Sequence, residues 1–501
     1  MVGYAAVTRC LFAAVALGAA GGCGGRASAP SVSVPVAMHR IRHVIVIMQE
    51  NRSFDSYFGT YPGADGIPMK HGRPSVCSPD PLSGRCVRPY HDPQQIDSGG
   101  PHSTVNAYSD IAGGRMNGFV AQAVNARDPG CLHNVLDPTC IINVRRPDVM
   151  GYHDGGDIPN YWSYAHHFVL QDHLFASNLG WSLPSHLAMV SGWSAECTSG
   201  TDPMSCHSST GRTIPPGARR GQPFFPWTDL TYLLAQHGVS WGYYVSPGRE
   251  PDCADGAMSC LVRQQNAVTP SIWNPLPHFA DVASDGQLAN VQGVGRFFAA
   301  ARTGRLPNVS WIVPSYANSE HPPATPRAGE AWVTRLVNAV MRSPNWNSTA
   351  IFISWDDWGG FYDHVVPPRV DGQGYGLRVP GLMISPYARR GVVDHQTLSF
   401  DAYLKFIEDD FLGGARIDPS TDGRPDSRPG VREAASQLGD LFSEFDFSQP
   451  PRKPFILRPI PSLRCRSAAA SGRTSRTSGS TRSRPARAAP PRCAARPTRV
   501  P

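Results

Sequence analysis

In the stretch His43-Val-Ile-Val-Ile-Met-Gln-Glu-Asn-Arg-Ser-Phe-Asp-Ser-Tyr-Phe-Gly59 of this 501-residue chain, an apolar run leads directly into a cluster of polar residues. Its apolar half, Val44 to Met48, is too short for a buried helix and suits a strand covered on both faces. Polar residues follow where that strand would end, and ligands of open α/β sheets collect outside the carboxyl ends of the strands. Glu50 and Asn51 offer neighbouring oxygen ligands that suit a metal ion, although a polar turn before a helix would use the same residues.

Similar apolar runs recur along the chain and alternate with segments of helical spacing. Further strands are predicted at 168–175, 239–245, 308–313, 350–355 and 379–384, and helices at 161–166, 186–191, 229–237 and 400–412. Strands that alternate with helices over about 400 residues predict an α/β fold in the form of a three-layer sandwich with a central, mainly parallel sheet.

The charge of the chain is concentrated at its carboxyl end. The formal net charge is +7, but ten arginines and no acidic residue lie between Arg464 and Pro501, which leaves −3 for the rest. The remainder shows no basic stripe with interleaved aromatic residues, so no nucleic-acid partner is expected for the folded domain. The tail at 464–501 cannot bury a core and is predicted to be disordered.

The amino terminus has the features of an export signal. Arg9 precedes an apolar core at 11–20, which is about half the length needed to span a bilayer, and small residues follow. The sequence before Cys23 resembles a bacterial lipoprotein processing site, so lipidation at Cys23, with association to a membrane surface, and plain secretion are both open. We therefore predict a signal peptide at 1–22, a linker at 23–39 and a catalytic domain at 40–450.

Eight cysteines of the central region fall into four neighbouring pairs. The pairs are 77/86, 131/140, 197/206 and 253/260. Their spacing favours four local disulfides made in an oxidising compartment, and it fits zinc less well because no Cys-x-x-Cys occurs.

Four polar clusters follow four of the predicted strands. They are Glu50-Asn51, Ser182, Glu320-His321, and Asp356-Asp357 with His364. Each cluster alone also fits a helix start, a solvated turn or a loop. Their shared placement at strand ends favours a common site, and the adjacent carboxylates of Asp356 and Asp357 require a metal ion or an arginine to offset their repulsion.

These motifs also carry a family resemblance. The stretches 50–55, 356–364 and Glu320-His321-Pro322-Pro323 resemble the bacterial phospholipase C and acid phosphatase family of phosphoesterases, which are related in fold to alkaline phosphatase. His102-Ser103, the segment 153–159 and the turn at Ser182 extend the resemblance over 40–412. It implies an exported hydrolase that acts on phospholipid head groups or on small phosphomonoesters.

The resemblance also implies roles for single residues. A divalent metal ion would be held by Glu50, Asn51, Ser182, Asp356 and Asp357. Ser182 would be the nucleophile and would form a phosphoserine, because a bound cation lowers the pKa of a hydroxyl. His321 and His364 would lie near the leaving group, with His153 and His102 less firmly placed, and either of the first two could protonate the leaving oxygen.

Two departures from the phospholipase C pattern bear on the substrate. The nucleophile segment is Ser182-Leu-Pro-Ser-His186 in place of Thr-x-Pro-Asn-Arg, and the second acid is Asp357 where glutamate is usual. Both features are more similar to the acid phosphatase branch. A sulfatase-like hydrolase of the same fold and a surface binding module without turnover remain as alternatives. The nucleophile segment lacks the Cys/Ser-x-Pro-x-Arg motif of a sulfatase. A binding module without turnover does not explain why the complete set of expected ligands is present.

Overall fold

The computed structural model describes residues 36–125, 147–211, 224–252 and 261–460, with the short segments 463–465 and 493–495. The described residues form an eight-stranded sheet. Its strands are β1 (His43–Gln49), β2 (Val169–Gln171), β3 (Trp241–Val245), β4 (Val291–Gly293), β5 (Val309–Val313), β6 (Thr349–Trp355), β7 (Gly381–Ile384) and β8 (Val392–Asp394). Across the sheet they lie in the order β4-β3-β5-β1-β6-β7-β2-β8.

The strand predicted at Val44 to Met48 is β1, and it lies at the centre of this sheet. β1 is parallel to β5 on one side and to β6 on the other, with Val44 opposite both Val309 and Ala350. β7 is antiparallel to both of its neighbours, whereas every other adjacent pair is parallel. The prediction of a mainly parallel sheet is therefore confirmed.

Helices cover both faces of the sheet. The helices of the described residues are α1 (Phe54–Phe58), α2 (Thr104–Ile111), α3 (Phe119–Asn125), α4 (Pro159–His167), α5 (Ser182–Ser191), α6 (Leu230–Gln236), α7 (Ala280–Ser284), α8 (Val294–Thr303), α9 (Tyr316–Ser319), α10 (Pro326–Met341) and α11 (Phe400–Phe411). α4 and α8 pack on α10, whereas α6 and α11 pack on α5. Because successive residues of a strand face opposite sides and β3, β5 and β6 are buried throughout, both faces must be covered, which gives the predicted three layers.

Further short elements lie outside the eight-stranded sheet and the α-helices. Small strand pairs join Met69–Lys70 to Arg73–Pro74, Ser78–Pro79 to Cys86–Val87, Tyr90–His91 to Gly151–Tyr152, Leu174–Phe175 to Leu398–Ser399, Ala195–Cys197 to Cys206–Ser208, Gly248–Asp252 to Leu261–Gln265, and Leu463–Cys465 to Cys493–Ala495. Turns of 3₁₀ helix occur at Val36–Arg40, Ala112–Gly114, Asp148–Met150, Pro203–Ser205, Leu276–His278, Gln287–Asn290, Trp346–Ser348, Arg432–Ala434 and Leu441–Glu444.

Several predicted boundaries shift. The strand predicted at 168–175 breaks at Asp172, whose carboxylate accepts hydrogen bonds from the backbone N–H of Asp65 and from the ring of His395. The helix predicted from His186 begins four residues earlier, at Ser182, which places that hydroxyl in the first helical turn. This earlier start matters for the site because it puts Ser182 and His186 on one helix face.

Two of the four predicted disulfides lie within the described residues and are present, Cys77–Cys86 and Cys197–Cys206. The pairs 131/140 and 253/260 lie outside the described residues, as do the signal peptide and Cys23. No helix in the described part of the chain is long and apolar enough to cross a bilayer.

Candidate metal centre

Polar side chains that follow two adjacent parallel strands meet at one edge of the sheet. Glu50 and Asn51 directly follow β1, and Asp356 and Asp357 directly follow β6. The backbone holds these strand ends together, since the Asp356 N–H donates to the Gln49 carbonyl at 2.9 Å. All four side chains are buried. The edge is the one where α/β sheets bind ligands.

α5 brings two more side chains to this edge. The Ser182 hydroxyl donates to Glu50 Oε2 at 3.3 Å, and His186 Nε2 lies 3.0 Å from Glu50 Oε1. Ligand atoms of Glu50, His186 and Asp356 all lie within 4.8 Å of one another, which is close enough for one ion to contact all three. The residues implied as metal ligands are thus gathered in one cluster, with His186 in addition.

Buried oxygen atoms without a hydrogen-bond donor point to a cation in this cluster. Asn51 Oδ1, Asp356 Oδ2 and Asp357 Oδ2 are each buried without a partner, although the other oxygen of each aspartate accepts backbone N–H groups. A buried unsatisfied polar atom costs about 1–3 kcal/mol. Carboxylate and amide oxygens with one imidazole suit a hard or borderline divalent ion, so the residues present fit the implied metal.

The ionisation of the cluster shows the same need for positive charge. Burial raises the pKa of Glu50 well above its usual range, and the neighbouring Asp356 and Asp357 raise it further. Burial and Asp356 likewise raise the pKa of Asp357. Burial lowers the pKa of His186 to about 4, so its ring is neutral near neutral pH and can act as a ligand.

The left-handed backbone conformation of Asn51 and a hydrogen bond to His102 fix the orientation of the Asn51 side chain. Its φ of 55° is left-handed, a conformation that asparagine tolerates better than most residues. Its side-chain Nδ2 donates to His102 Nε2 at 2.9 Å, because His102 Nδ1 is used toward the Gly100 carbonyl. This chain of hydrogen bonds turns Asn51 Oδ1 away from His102. His102 therefore orients a metal ligand.

His321 stands beside this cluster. Its ring meets the ring of His102 edge to face at 5.9 Å, and its Nδ1 lies 2.9 Å from the Pro322 carbonyl, which leaves Nε2 as the available nitrogen. Burial, followed by the charge of His102, lowers the pKa of His321 to about 4. The structure thus places His321 next to the predicted ligands.

Glu320 fixes the backbone that carries His321. It has a left-handed φ of 72°, and its carboxylate accepts hydrogen bonds from Tyr57 at 2.5 Å, Tyr161 at 2.6 Å and Trp355 at 3.1 Å. A Cβ on Gly329 would stand 2.1 Å from Glu320 Cγ, so only glycine fits there. This anchored carboxylate compensates for the strained conformation.

The structure does not bring His364 and His153 into contact with the cluster. His364 Nδ1 lies 2.7 Å from Asp55 and 3.2 Å from Arg378 Nη2, within a buried ion network. His153 Nε2 lies 3.9 Å from Asp97, which pairs with Arg52. Both histidines therefore contact charged groups other than the predicted ligands.

His186 is the site residue that the sequence interpretation missed. The signal was available, because residues i and i+4 of a helix share a face and Ser182 is four residues before His186. The predicted helix began only at His186, which separated the two side chains.

Comparisons with known proteins agree with this geometry. The model of the Phosphoesterase family matches residues 41–412. Phospholipase C B of Mycobacterium tuberculosis is 27% identical over 463 residues, covering 82% of this chain and 78% of that protein. Hemolytic phospholipase C of Pseudomonas aeruginosa is 28% identical over 446 residues, covering 81% of this chain but only 56% of its own length.

Solved structures resemble the chain at much lower similarity. The PsFucS1 sulfatase from Pseudoalteromonas sp. has a TM-score of 0.34 at 12% identity and covers 80% of this chain and 74% of that one. A protein of the alkaline phosphatase superfamily from Vibrio parahaemolyticus has a TM-score of 0.28 at 11% identity and covers 55% and 65%. Scores this low carry no conclusion about activity.

Proposed function

Because this chain belongs to the Phosphoesterase family and is a phosphoric ester hydrolase, we propose that Ser182 is its nucleophile. The observation that carries the proposal is the position of the Ser182 hydroxyl, which donates a hydrogen bond to Glu50 Oε2 at 3.3 Å. Glu50 belongs to the same cluster as His186 and Asp356, and Asp356 Oδ2 is one of the buried oxygen atoms without a partner. The hydroxyl lies in the first turn of α5, where the helix dipole favours negative charge. An alkoxide and a phosphate group are therefore both stabilised at this position.

The reaction follows from the groups at hand. Ser182 Oγ attacks phosphorus in line with the departing alcohol, and Glu50 Oε2 is placed to accept the serine proton. The phosphoserine that results is hydrolysed by water. A divalent ion held by Glu50, Asn51, Asp356, Asp357 and His186 would supply positive charge for the phosphoryl oxygens and lower the pKa of the hydroxyl.

We assign protonation of the leaving oxygen to the imidazolium form of His321. With Nδ1 donating to the Pro322 carbonyl, the ring takes up a proton from solvent at Nε2 and passes that proton to the leaving oxygen. Its Nε2 is available beside the cluster, whereas the ring of His364 already contacts Asp55 and Arg378. His102 is occupied through both nitrogens and has a positioning role toward Asn51. His153 lies with Arg52 and Asp97 and is given no part in the reaction.

Two substrate classes are proposed. The relatives named phospholipase C support a phosphodiester in a lipid head group. The serine nucleophile and the Asp356-Asp357 pair are more similar to the acid phosphatase pattern, which supports a small phosphomonoester. The disulfides Cys77–Cys86 and Cys197–Cys206 support export to an oxidising compartment, as the signal at 1–22 predicts. Lipidation at Cys23 is a second part of that export proposal.

A substrate panel tests the proposal. We would express the full chain by an oxidising route with several divalent metals and measure hydrolysis of p-nitrophenyl phosphate, p-nitrophenyl phosphorylcholine and phosphatidylcholine. Release from the monoester alone indicates a phosphatase, and release of phosphocholine indicates a phospholipase C. Lack of hydrolysis of every ester would favour a binding module.

A matched pair of serine variants locates the nucleophile. Ser182→Ala is expected to abolish turnover, because the attacking oxygen is removed. Ser185→Ala removes another buried hydroxyl of the same helix that has no hydrogen-bond partner, and it is expected to keep activity. Full activity of Ser182→Ala would place the nucleophile elsewhere.

A further inference from the structure

We infer that the outer face of α2 is a docking surface for aggregated phospholipid, an inference that rests on the proposed function. We call Val105 and Tyr108 the α2 face. Their exposed fractions are 73% and 57%, and the spacing of three places them on the same side of the helix. Large exposed apolar side chains that lie together mark interaction sites more often than isolated ones.

The α2 face is rigidly connected to the metal centre. The helix is capped by Ser103 and Asn106, and the residue before that cap is His102, which orients Asn51. On the inner side of the same helix, Asp110 accepts a hydrogen bond from Trp358 Nε1 at 2.9 Å. Trp358 directly follows Asp357. A surface that binds to α2 is therefore held close to the segments that carry Asn51 and Asp357.

The charge around α2 suits a lipid surface. Residues 98–125 contain one acidic side chain, Asp110, which is fully buried. The same residues contain one arginine and no lysine, and that arginine, Arg115, is exposed. An arginine beside exposed apolar groups complements lipid phosphate, and tyrosine favours the boundary between head groups and acyl chains. A basic protein partner would find no exposed carboxylate between residues 98 and 125 to pair with.

The apolar surface continues past the end of the helix. Val366 is 45% exposed, and a Cβ placed on Gly114 would stand 3.9 Å from its side chain. Gly113 and Gly114, which follow α2, are exposed as well. The surface therefore extends from the helix to the neighbouring loop that leads away from Asp357.

The position of the nucleophile explains why such a surface is needed. Ser182 is only 3% exposed, so a head group must leave the plane of a lipid layer to reach it. Docking of the α2 face would hold the protein close enough for one lipid to enter while its acyl chains stay in the layer. A soluble ester does not need this contact.

The experiment compares two double variants of the full chain. Val105→Ser/Tyr108→Ser removes the α2 face, and serine has a helix propensity similar to that of the residues it replaces. Leu82→Ser/Val268→Ser is the control, since these side chains are 66% and 62% exposed in other loops. Co-sedimentation with phosphatidylcholine vesicles is measured with Ser182→Ala added to each protein, so that the lipid is not hydrolysed. Hydrolysis of p-nitrophenyl phosphate and p-nitrophenyl phosphorylcholine is measured with proteins that retain Ser182.

We expect the α2 double variant to lose vesicle binding by about tenfold for each side chain, while the control binds normally. Hydrolysis of whichever soluble ester the unmodified chain cleaves should be the same in both variants, which also shows that they fold. Equal vesicle binding by both variants, or no binding by the unmodified protein, would overturn the docking surface and leave the proposed hydrolase intact. Lack of hydrolysis of both soluble esters by the unmodified protein would instead count against the proposed function.

Discussion

His186 Nε2 lies 3.0 Å from Glu50 Oε1, which joins the first turns of α5 to the end of β1. Both side chains are fully buried. The contact sets the position of the helix that carries Ser182, and it gives the cluster its one nitrogen ligand. His186 Nδ1 has no hydrogen-bond partner, so the ring is held through Nε2 alone.

Loss of His186 should therefore weaken metal binding as well as turnover. We expect His186→Ala to bind the metal at least tenfold more weakly and to lose most of its activity at low metal concentration. The measurement is a metal titration followed by turnover and by direct metal analysis after dialysis. His207→Ala, which removes an exposed histidine, serves as the control. Unchanged metal affinity in His186→Ala would contradict its role as a ligand.

His102 should act on the metal through Asn51. His102→Ala leaves the Asn51 amide without its acceptor, so Asn51 Oδ1 is no longer directed into the cluster. We expect a loss of metal affinity of roughly 10–100-fold, with activity partly restored at saturating metal. His71→Ala is the exposed control. An activity loss that added metal does not reduce would mean that His102 acts on the substrate instead.

The sequence was sufficient to predict the position of the strands that are uniformly apolar. β1 and β6 were predicted almost to the residue, because their burial on both faces leaves an unbroken apolar run. β4 and β8 were not predicted, since three residues alone carry too little of a pattern, and the equally short β2 was found only within the longer strand predicted at 168–175. The reversed direction of β7 was not foreseen either, because an apolar run does not encode strand direction.

The site was predictable where its residues directly follow a strand. Glu50 and Asp356 were found in this way. His364 was grouped with Asp357 because it is near in sequence, but the chain turns sharply between them. Gly359 and Gly360 adopt φ values of 60° and 73°, and they bring the backbone against Asn51 and Gly100. Turns of this kind separate neighbours in ways that spacing alone does not show.

A buried acid pair away from the site gives a pH prediction. The Asp229 N–H donates to Asp281 Oδ2, and burial, followed by the charge of Asp281, raises the pKa of Asp229 well above its usual range. An acid whose folded pKa is raised stabilises the protein below its unfolded pKa, and this stability is lost as pH rises through the folded pKa.

Asp281→Asn removes one charge of that pair and keeps an acceptor for the Asp229 N–H. We expect the variant to lose less thermal stability than the unmodified protein between acid and alkaline pH. Melting temperatures measured across that range, with Asp285→Asn as an exposed control, provide the check. Parallel curves for Asp281→Asn and the unmodified protein would show that the pair is not strained.

Metal removal should destabilise the folded protein, because buried carboxylates of the cluster repel each other without a cation. Glu50 and Asp356 share one cluster, and Asp357 raises the pKa of Glu50 by its charge. We expect chelation to lower the melting temperature and added metal to restore it. Asp357→Asn removes one charge, so its chelated form should melt at a higher temperature than the chelated unmodified protein, whereas its response to metal should be smaller. These two effects have opposite signs, and general damage to the fold would instead lower the melting temperature in both conditions. A chelated Asp357→Asn that melts below the unmodified protein would therefore contradict a cation site at this edge of the sheet.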